Sequence, residues 1–256
     1  MDKVIVITGA SAGIGAELAR MAGGRGAKVV LAARRKPELE AVAARSGTEA
    51  LAVVTDATRR ADMERLRDAA LERFGRIDVW VNNAGRGITR SVMELTDEDL
   101  DSMWRDNVKS ALYGMQAVLP HFQSRGAGQI VNVSSGLGRV PTVPFRSAYS
   151  GAKHALNALS ACLRMELRGT HPGIMVTVVM PGVVATEFGN NALGGGPDSR
   201  ALPGAQSVEG ATKVILDVIK NPRPEVYTQP AFQAEVERYY RDVAAYESEA
   251  AARFRR

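Results

Sequence analysis

The sequence is poor in the residues that build disulfides and metal sites. It contains one cysteine, Cys162, so no internal disulfide can form, and we expect a reducing compartment. Because no histidine is near it in sequence, Cys162 is expected to be a small buried hydrophobe. The three histidines, His121, His154 and His171, lack metal-ligand spacing, so no metal is predicted.

Long apolar runs are also absent. No stretch approaches the roughly 18 apolar residues that a membrane-spanning helix needs, and the richest one, IMVTVVMPGVVA, is broken by Pro181 and Gly182. The N-terminus offers four consecutive apolar residues before a Thr-Gly turn, which is too short for a secretory signal. We therefore expect no membrane span and a cytoplasmic location.

The chain carries a formal net charge of +5 and a pI near 9.5. Acidic residues interleave with the basic ones, and no stripe of alternating aromatic and basic residues occurs, so no nucleic-acid partner is expected. A solvated surface and an anionic small ligand account for the excess. At 256 residues the chain can bury a full core without disulfides or metal.

Short β-branched runs alternate with helical patterns along the chain. Strands are predicted at 4–8, 28–33, 50–55, 77–82, 129–134, 174–179 and 225–228. Their near-continuous apolar character is typical of strands buried on both faces. Such alternation implies right-handed crossovers and an α/β fold, with a seven-stranded, mainly parallel, doubly wound sheet flanked by helices.

Helices are predicted over stretches such as 59–74 and 97–124. The second carries one continuous apolar stripe at three-to-four spacing, formed by Leu100, Met103, Trp104, Val108, Leu112, Met115, Leu119 and Phe122. Residues 189–204 are rich in Gly, Pro and Asn and form either a mobile lid or a disordered loop. Residues 231–256 are predicted to be a surface helix that extends a single domain spanning 1–256, not a second domain.

A glycine-rich turn follows the first predicted strand. The segment TGASAGIG (8–15) contains Gly9, Gly13 and Gly15, with Ser11 and Ile14 between them, and opens an amphipathic helix. Glycines allow the backbone to approach a phosphate, and the helix N-terminus supplies amides and a positive dipole end. The placement predicts a dinucleotide site.

The end of the second predicted strand indicates which dinucleotide binds. An NAD site places an acid there, whereas this strand ends in Ala33 followed by Arg34 and Arg35. A guanidinium binds a 2′-phosphate through charge-assisted hydrogen bonds. The sequence therefore predicts NADP(H) in preference to NAD(H), with Arg34 first and Arg35 in support. The alternative is that these side chains form only a solvated helix entry.

Three further segments, NNAG (82–85), NVSSG (132–136) and SAYSGAK (147–153), follow in order. Together with the glycine turn, they resemble the short-chain dehydrogenase/reductase family from residue 3 to about residue 187. The resemblance implies a Rossmann-type sheet and a catalytic set of Asn107, Ser135, Tyr149 and Lys153. Ser134 is the alternative to Ser135, although the alignment of Gly138 favours Ser135. The spacing from Ser135 to Tyr149 is one residue longer than the family's commonest, and Pro141 and Pro144 indicate that the loop between them absorbs the extra residue.

The resemblance also implies cofactor contacts outside the glycine turn. These are assigned to Arg34, Arg35, Asp56, Asn82, Ala84, Gly85, Tyr149, Lys153, Pro181, Gly182, Val184 and Thr186. Asp56 matches the residue that binds the adenine amine, and Thr186 the residue that holds the nicotinamide carboxamide. Asn107 matches a residue in a water-mediated proton relay to Lys153; without the resemblance, it is a satisfied interior polar group.

Elementary electrostatics gives the Tyr149 and Lys153 pair a chemical purpose. Tyrosine ionises near pH 10, too high for efficient acid–base catalysis at neutral pH. Lysine four residues along a helix lies on the same face, and a cation about 4 Å away stabilises a phenolate by roughly 4 kcal/mol. The pair therefore predicts a Tyr149 pKa lowered toward neutrality, and the resemblance adds ribose binding by Lys153.

The substrate pocket is predicted to be mostly apolar. Its expected walls are Val140, Val143, Phe145, Val184, Phe188 and Leu193, beneath the 189–204 loop. Such walls favour a hydrophobic ketone or secondary alcohol. Four loop arginines, Arg86, Arg90, Arg139 and Arg146, rim the pocket in this interpretation and either attract an anionic substrate or are only solvated.

The sequence thus predicts an NADP(H)-dependent oxidoreductase that interconverts a carbonyl and an alcohol, with Tyr149 carrying the proton. A redox sensor or scaffold that binds NADP without turnover is the alternative, although such proteins typically lose Tyr149 or Lys153. A nucleotide-sugar epimerase or dehydratase would need a longer C-terminal domain. The resemblance further implies a homodimer or homotetramer formed through helices 97–124 and 148–168.

Overall fold

The computed structural model of the chain describes residues 1–254. Seven strands form one sheet, and all six pairings between neighbours are parallel. They are β1 (Val4–Thr8), β2 (Lys28–Ala33), β3 (Ala50–Val54), β4 (Val79–Asn82), β5 (Gly128–Val133), β6 (Ile174–Met180) and β7 (Glu225–Tyr227). Their order in the sheet is β3-β2-β1-β4-β5-β6-β7. The predicted doubly wound parallel sheet is confirmed.

Helices cover both faces of the sheet. They are α1 (Gly13–Gly23), α2 (Lys36–Ala43), α3 (Arg60–Phe74), α4 (Asp97–Trp104), α5 (Ser110–Arg125), α6 (Ser147–Arg168), α7 (Val208–Lys220), α8 (Ala231–Arg241) and α9 (Val243–Arg253). Apolar residues of α1, α2 and α7 pack on one face. Those of α3, α5 and α6 pack on the other. Strands buried in this way explain the continuous apolar runs.

The order in which the chain adds strands reverses between β1 and β4, which are neighbours near the middle of the sheet. Strand order runs one way through β2 and β3 and the other way through β5, β6 and β7. In sheets of this kind, ligands bind in the crevice that opens at the carboxyl ends of the strands at such a point. The loops that follow β1, β4 and β5 therefore frame the candidate site.

The single helix predicted over 97–124 is in fact two helices joined by a π-helical segment, Arg105–Lys109. A π turn adds a residue and shifts the direction in which later side chains point. The prediction of one continuous apolar stripe is therefore wrong. Leu100 and Trp104 are 49% and 47% exposed, whereas Met115 and Phe122 beyond the π segment are buried.

The C-terminal segment and Cys162 also depart from expectation. The predicted surface helix is a hairpin of α8 and α9, because Asp242 ends the first helix and its carboxylate caps the second by accepting from Ala245 N at 3.0 Å. Residues 255 and 256 lie outside the described part of the chain. Cys162 is exposed on α6, not buried. Within residues 1–254, no helix is both long and apolar enough to cross a membrane.

Candidate active site

A cavity of about 820 Å³ opens at the carboxyl ends of the strands. At one end, which we call the glycine end, it is lined by Gly9, Ser11, Gly13, Arg34 and Arg35. At the other, which we call the aromatic end, it is lined by Phe145, Phe188, Phe232 and Phe254. Tyr149 and Lys153 line the same cavity. The structure thus joins a polar, glycine-rich site and an apolar one in a single space.

The glycine end is a backbone cradle. Gly9 and Gly13 have φ values of +66° and +54°, a region that favours glycine. A Cβ on Gly15 would lie 2.4 Å from the carbonyl oxygen of Gly9, so only glycine lets the turn close. Helix α1 begins here without a side-chain cap and without an acid in its first turn. Its positive end is therefore open to an anion.

Two arginines follow β2 at the glycine end. Both Arg34 and Arg35 line the cavity. Arg35 donates to the Ser11 hydroxyl at 3.2 Å and lies 3.6 Å from Glu38. Arg34 has no carboxylate within 4.0 Å in residues 1–254, so its guanidinium is open to a ligand. Beyond them, Asp56 lines the cavity and accepts two hydrogen bonds from Thr58, at 2.7 and 3.0 Å.

Asn82 does not lie where the resemblance placed it. Its side chain is buried beneath the cavity, where it accepts from Trp80 Nε1 and donates to Asn132 Oδ1, both at 2.8 Å. Asn132 in turn donates to the Ser160 hydroxyl, so the network ties β4 and β5 to α6. We assign Asn82 no direct contact with a cofactor.

Asn83, which the sequence reasoning missed, lines the cavity in place of Asn82. Its amide donates to the carbonyl oxygens of Thr8 and Gly9, at 3.0 and 3.2 Å, and so fixes the glycine turn. Its position in the NNAG segment was the available signal. Ala84 and Gly85, the next two residues, also line the cavity; both were assigned as cofactor contacts from the resemblance.

Tyr149 and Lys153 lie one turn apart on α6 and are 7% and 3% exposed. The Lys153 ammonium donates to the carbonyl oxygen of Val133 at 3.0 Å and lies 5.6 Å from the centre of the Tyr149 ring. Burial lowers the pKa of Lys153 to about 8. The lysine is therefore a buried group that is largely protonated at neutral pH.

The predicted lowering of the tyrosine pKa is not what this structure shows. Burial raises the pKa of Tyr149 to about 12, although a hydrogen bond with Ser135 and the charge of Arg146 act in the opposite direction. Removing the phenolate from water therefore outweighs its stabilising neighbours. In this state Tyr149 holds its proton at neutral pH.

The structure distinguishes the two serines at the end of β5. The Ser135 hydroxyl acts to lower the pKa of Tyr149 and accepts from Leu137 N at 3.1 Å. Ser134 instead points toward α6 and donates to the carbonyl oxygen of Lys153 at 3.4 Å. Ser135 is therefore the serine that lies beside Tyr149.

Asn107 lies in the π segment and is 1% exposed. Its amide donates to the carbonyl oxygens of Arg86 and Met103, at 2.9 and 3.1 Å, and its oxygen accepts from Arg86 N at 3.2 Å. It does not line the cavity. A Cβ on Gly85 would meet Asn107 Oδ1 at 2.7 Å and Lys153 Nζ at 3.5 Å, so Asn107 holds a loop beside the lysine.

The segment after β6 crosses the middle of the cavity. The residues of this segment that line the cavity include Pro181, Gly182, Val184 and Thr186. The carbonyl of Pro181 accepts from Gly136 N at 2.8 Å, which ties the segment to the loop after β5. The methyl group of Thr186 faces Gly13, where an added Cβ would lie 3.3 Å away.

The apolar walls are partly those predicted. Val143, Phe145, Val184 and Phe188 line the cavity. Val140 and Leu193 do not. Val140 is completely buried. Leu193 pairs through its backbone with residues 87 and 89, at 2.9 and 2.8 Å, which folds the start of the 189–204 loop against the loop after β4.

Two aromatic wall residues, Phe232 and Phe254, come from the C-terminal hairpin and were missed. Phe254 packs edge-to-face on Phe145 with ring centres 5.5 Å apart. Phe232 covers Gly136, where a Cβ would lie 2.6 Å from its ring. The available signal was weak, since both are isolated aromatic residues in a charged segment.

The four loop arginines divide into two pairs. Arg86 and Arg146 line the cavity. Arg90 and Arg139 do not, because Arg90 pairs with Asp99 at 2.9 Å and Arg139 pairs with Glu225. The expectation that all four rim the pocket is therefore wrong for Arg90 and Arg139.

Comparison with known proteins agrees with this geometry. The sequence model of the short chain dehydrogenase family matches residues 3–193. An uncharacterized oxidoreductase, YxnA of Bacillus subtilis, is 39% identical over 195 residues, which are 75% of this chain and 54% of the relative. The chain thus spans about half the length of that relative.

Two solved structures share the fold. A short chain dehydrogenase/reductase from Burkholderia phymatum, in complex with NAD, has a TM-score of 0.86 at 27% identity and 94% coverage of each chain. An alcohol dehydrogenase from Thermococcus sibiricus, complexed with 5-hydroxy-NADP, has a TM-score of 0.77 at 28% identity, covering 89% of this chain and 96% of the other. The chain belongs to the short-chain dehydrogenase family of oxidoreductases.

Proposed function

We propose that this protein is an NADP(H)-dependent oxidoreductase that interconverts a ketone or aldehyde and an alcohol. The observation that carries the proposal is the position of Tyr149. Its side chain is buried beside Ser135, which acts to lower its pKa, and it lines the cavity that also contains the glycine end and the aromatic end. A proton donor placed between a dinucleotide cradle and an apolar pocket is suited to carbonyl chemistry.

The residues present fit a nicotinamide dinucleotide, which supplies or accepts a hydride when bound. The glycine turn, with Ser11, Ile14 and the first amides of α1, would hold the phosphates. Arg34 and Arg35 would hold a 2′-phosphate, since no carboxylate of β2 stands there to repel it. Asp56 would bind the adenine amine.

The remaining contacts lie along the middle of the cavity. Ala84 and Gly85 would pack on the adenosine side, and Tyr149 and Lys153 would bind the nicotinamide ribose. Pro181, Gly182, Val184 and Thr186 would enclose the nicotinamide. The two solved relatives bind NAD and 5-hydroxy-NADP, so the choice of NADP(H) here rests on Arg34 and Arg35.

Tyr149 would donate its proton to the carbonyl oxygen during reduction. With a pKa of about 12 it is protonated at neutral pH, which is the state a general acid requires. Ser135 would hold the same oxygen by a hydrogen bond. The charge of Lys153, with its ammonium 5.6 Å from the Tyr149 ring centre, would stabilise the phenolate that remains.

We also propose that copies of this chain assemble through α4 and α6. Leu100 and Trp104 on α4, and Met165 on α6, expose 49%, 47% and 66% of their surface. Exposed apolar side chains on these helices support a homodimer or homotetramer in the cytoplasm. Light scattering of the purified protein tests the assembly.

The function is tested with a panel of ketones, aldehydes and alcohols assayed with NADPH and with NADH. We expect NADPH consumption with at least one apolar carbonyl compound, at a higher kcat/KM than with NADH. A protein that binds NADPH but turns over no member of the panel would instead support the redox sensor or scaffold. Binding and turnover are therefore measured on the same preparation.

A further inference from the structure

Arg146 is a charged residue in the cavity that the proposed function leaves without a role. It is half-buried, and no carboxylate lies within 4.0 Å of it in residues 1–254. Arg90 and Arg139, the two loop arginines outside the cavity, are each paired with a carboxylate. Arg146 is different because it faces the cavity unpaired.

The surroundings of Arg146 make room for its guanidinium. A Cβ on Gly87 would lie 2.8 Å from Arg146 Nη1, and a Cβ on Gly196 would lie 2.9 Å from Nη2. Glycine on both sides therefore lets the group lie between the loop after β4 and the 189–204 loop. In residues 1–254 its side chain makes one hydrogen bond, from Nη1 to the carbonyl oxygen of Ile88 at 3.2 Å.

Most of the hydrogen-bonding capacity of this guanidinium remains unused. An arginine carries five N–H donors in a planar fork. A half-buried charge without a counter-ion is costly, and a carboxylate that accepts two parallel hydrogen bonds offsets that cost. Arg146 also precedes α6, which begins without a side-chain cap or an acid in its first turn, so the helix dipole adds to the positive potential.

Arg146 is close to the reacting group. Its charge acts on Tyr149, three residues farther along the chain. Phe188 lies near both residues: its ring centre is 5.6 Å from that of Tyr149, and a Cβ on Gly87 would meet both Arg146 Nη1, at 2.8 Å, and Phe188 Cε1, at 3.0 Å. Glu187, which precedes Phe188 and also lines the cavity, does not neutralise Arg146. Its carboxylate is exposed and lies 3.7 Å from Arg200.

We propose that the substrate is an oxo acid, or the corresponding hydroxy acid, with an apolar body. Its carboxylate binds Arg146, its carbonyl meets Tyr149 and Ser135, and its apolar part contacts Phe145 and Phe254. The proposal rests on the proposed function, because it names the substrate class of the same site.

Matched substrates test the proposal. The wild-type protein is assayed with 2-oxo and 3-oxo acids that bear a phenyl or an octyl group, and with the methyl ester of each, at saturating NADPH. We expect kcat/KM to be at least about tenfold higher for the best acid than for its ester, since hydrogen bonds to charged groups are worth more than neutral ones.

Variants then separate charge recognition from loop support. Arg146→Met is expected to lower kcat/KM for the acid about 100-fold, mainly by raising KM. The same variant should lower kcat/KM for the ester by less than about threefold. Arg146→Lys, which keeps the charge but loses the fork, is expected to fall between. The matched control is Arg139→Met, which removes an arginine outside the cavity while Glu225 keeps Arg164 at 3.1 Å.

Each outcome decides a different point. Equal losses for acid and ester in Arg146→Met, or an ester preferred by the wild type, would overturn the inference and leave the proposed function standing. A wild type that reduces another ketone or aldehyde but no acid and no ester would also overturn the inference alone, whereas one that reduces no carbonyl compound of the wider panel with either cofactor would overturn the proposed function itself. NADPH binding and thermal melting of Arg146→Met show whether the variant is folded; if it is not, Arg146→Lys and the wild-type acid-to-ester ratio decide.

Discussion

The two ends of the cavity are built in different ways. The glycine end consists of the backbone amides and small residues of a short segment, 8–15, together with the arginines Arg34 and Arg35 after β2. The aromatic end consists of large side chains from distant parts of the chain, among them Phe145 and Phe254. Since the two ends are built from different segments, we expect them to respond to mutation independently.

The largest effect that separates the ends is expected from Arg34→Asp. The variant replaces an open guanidinium at the glycine end with a carboxylate that repels a 2′-phosphate, so the preference for NADPH over NADH should fall about 100-fold. The ratio of kcat/KM values for the two cofactors measures it, with one carbonyl substrate throughout.

Lys36→Asp is the control for this variant. It makes the same change of charge two residues away on a side chain that pairs with Glu40 at 3.7 Å and does not line the cavity. An equal change of preference in the control, or none in Arg34→Asp, would mean that Arg34 does not select the cofactor.

A smaller effect, confined to the aromatic end, is expected from Phe254→Ala. Loss of its edge-to-face contact with Phe145 and of its apolar surface should raise KM for a large apolar carbonyl substrate about tenfold. The KM for NADPH should stay within about twofold. Tyr240→Ala, in the same hairpin but outside the cavity, is the control. A rise in the KM for NADPH would show that the two ends are not independent.

The smallest effect is expected on the free energy of unfolding and comes from Lys153, the buried lysine beside Tyr149. The pKa of Lys153 is lowered from 10.5 to about 8 by burial, so the unfolded chain binds more protons between these values. Wild-type stability should therefore rise as pH increases from about 8 to 10.5. Lys153→Met should lack this rise.

At pH 7 the Lys153→Met variant should be more stable than the wild type by about 2 kcal/mol, because the burial cost of roughly 3 kcal/mol is partly offset by the lost hydrogen bond to Val133. Urea unfolding at pH 7 and pH 10 measures both quantities. A variant less stable than the wild type at pH 7 would show that the buried ammonium is net stabilising.

The same contrast explains how much the sequence could reveal. The strands, the glycine turn and the Tyr149–Lys153 pair are set by local periodicity and spacing, and the structure places them together. The π segment is not encoded in an apolar repeat, because one added residue changes the direction of later side chains and leaves Leu100 and Trp104 off the buried face. Phe254 lines the cavity through an edge-to-face contact with Phe145, more than 100 residues away in sequence, which no local pattern indicates.

Burial also could not be read from spacing. The spacing of Tyr149 and Lys153 predicts a lowered tyrosine pKa, but the structure surrounds the hydroxyl with protein and raises it. Asn82 shows the same limit. Its motif indicates the cavity, whereas β4 turns the side chain inward to Trp80 and Asn132.

We propose that Tyr149 delivers a proton where the two ends of the cavity meet. The most direct measurement compares Tyr149→Phe with the wild type for NADPH binding, by fluorescence titration, and for turnover of the best carbonyl substrate. We predict a Kd for NADPH within about threefold and a kcat lower by about 10²- to 10⁴-fold, since the ring remains and only the proton donor is lost. A Phe variant with kcat within about threefold of the wild type would show that Tyr149 is not the proton donor.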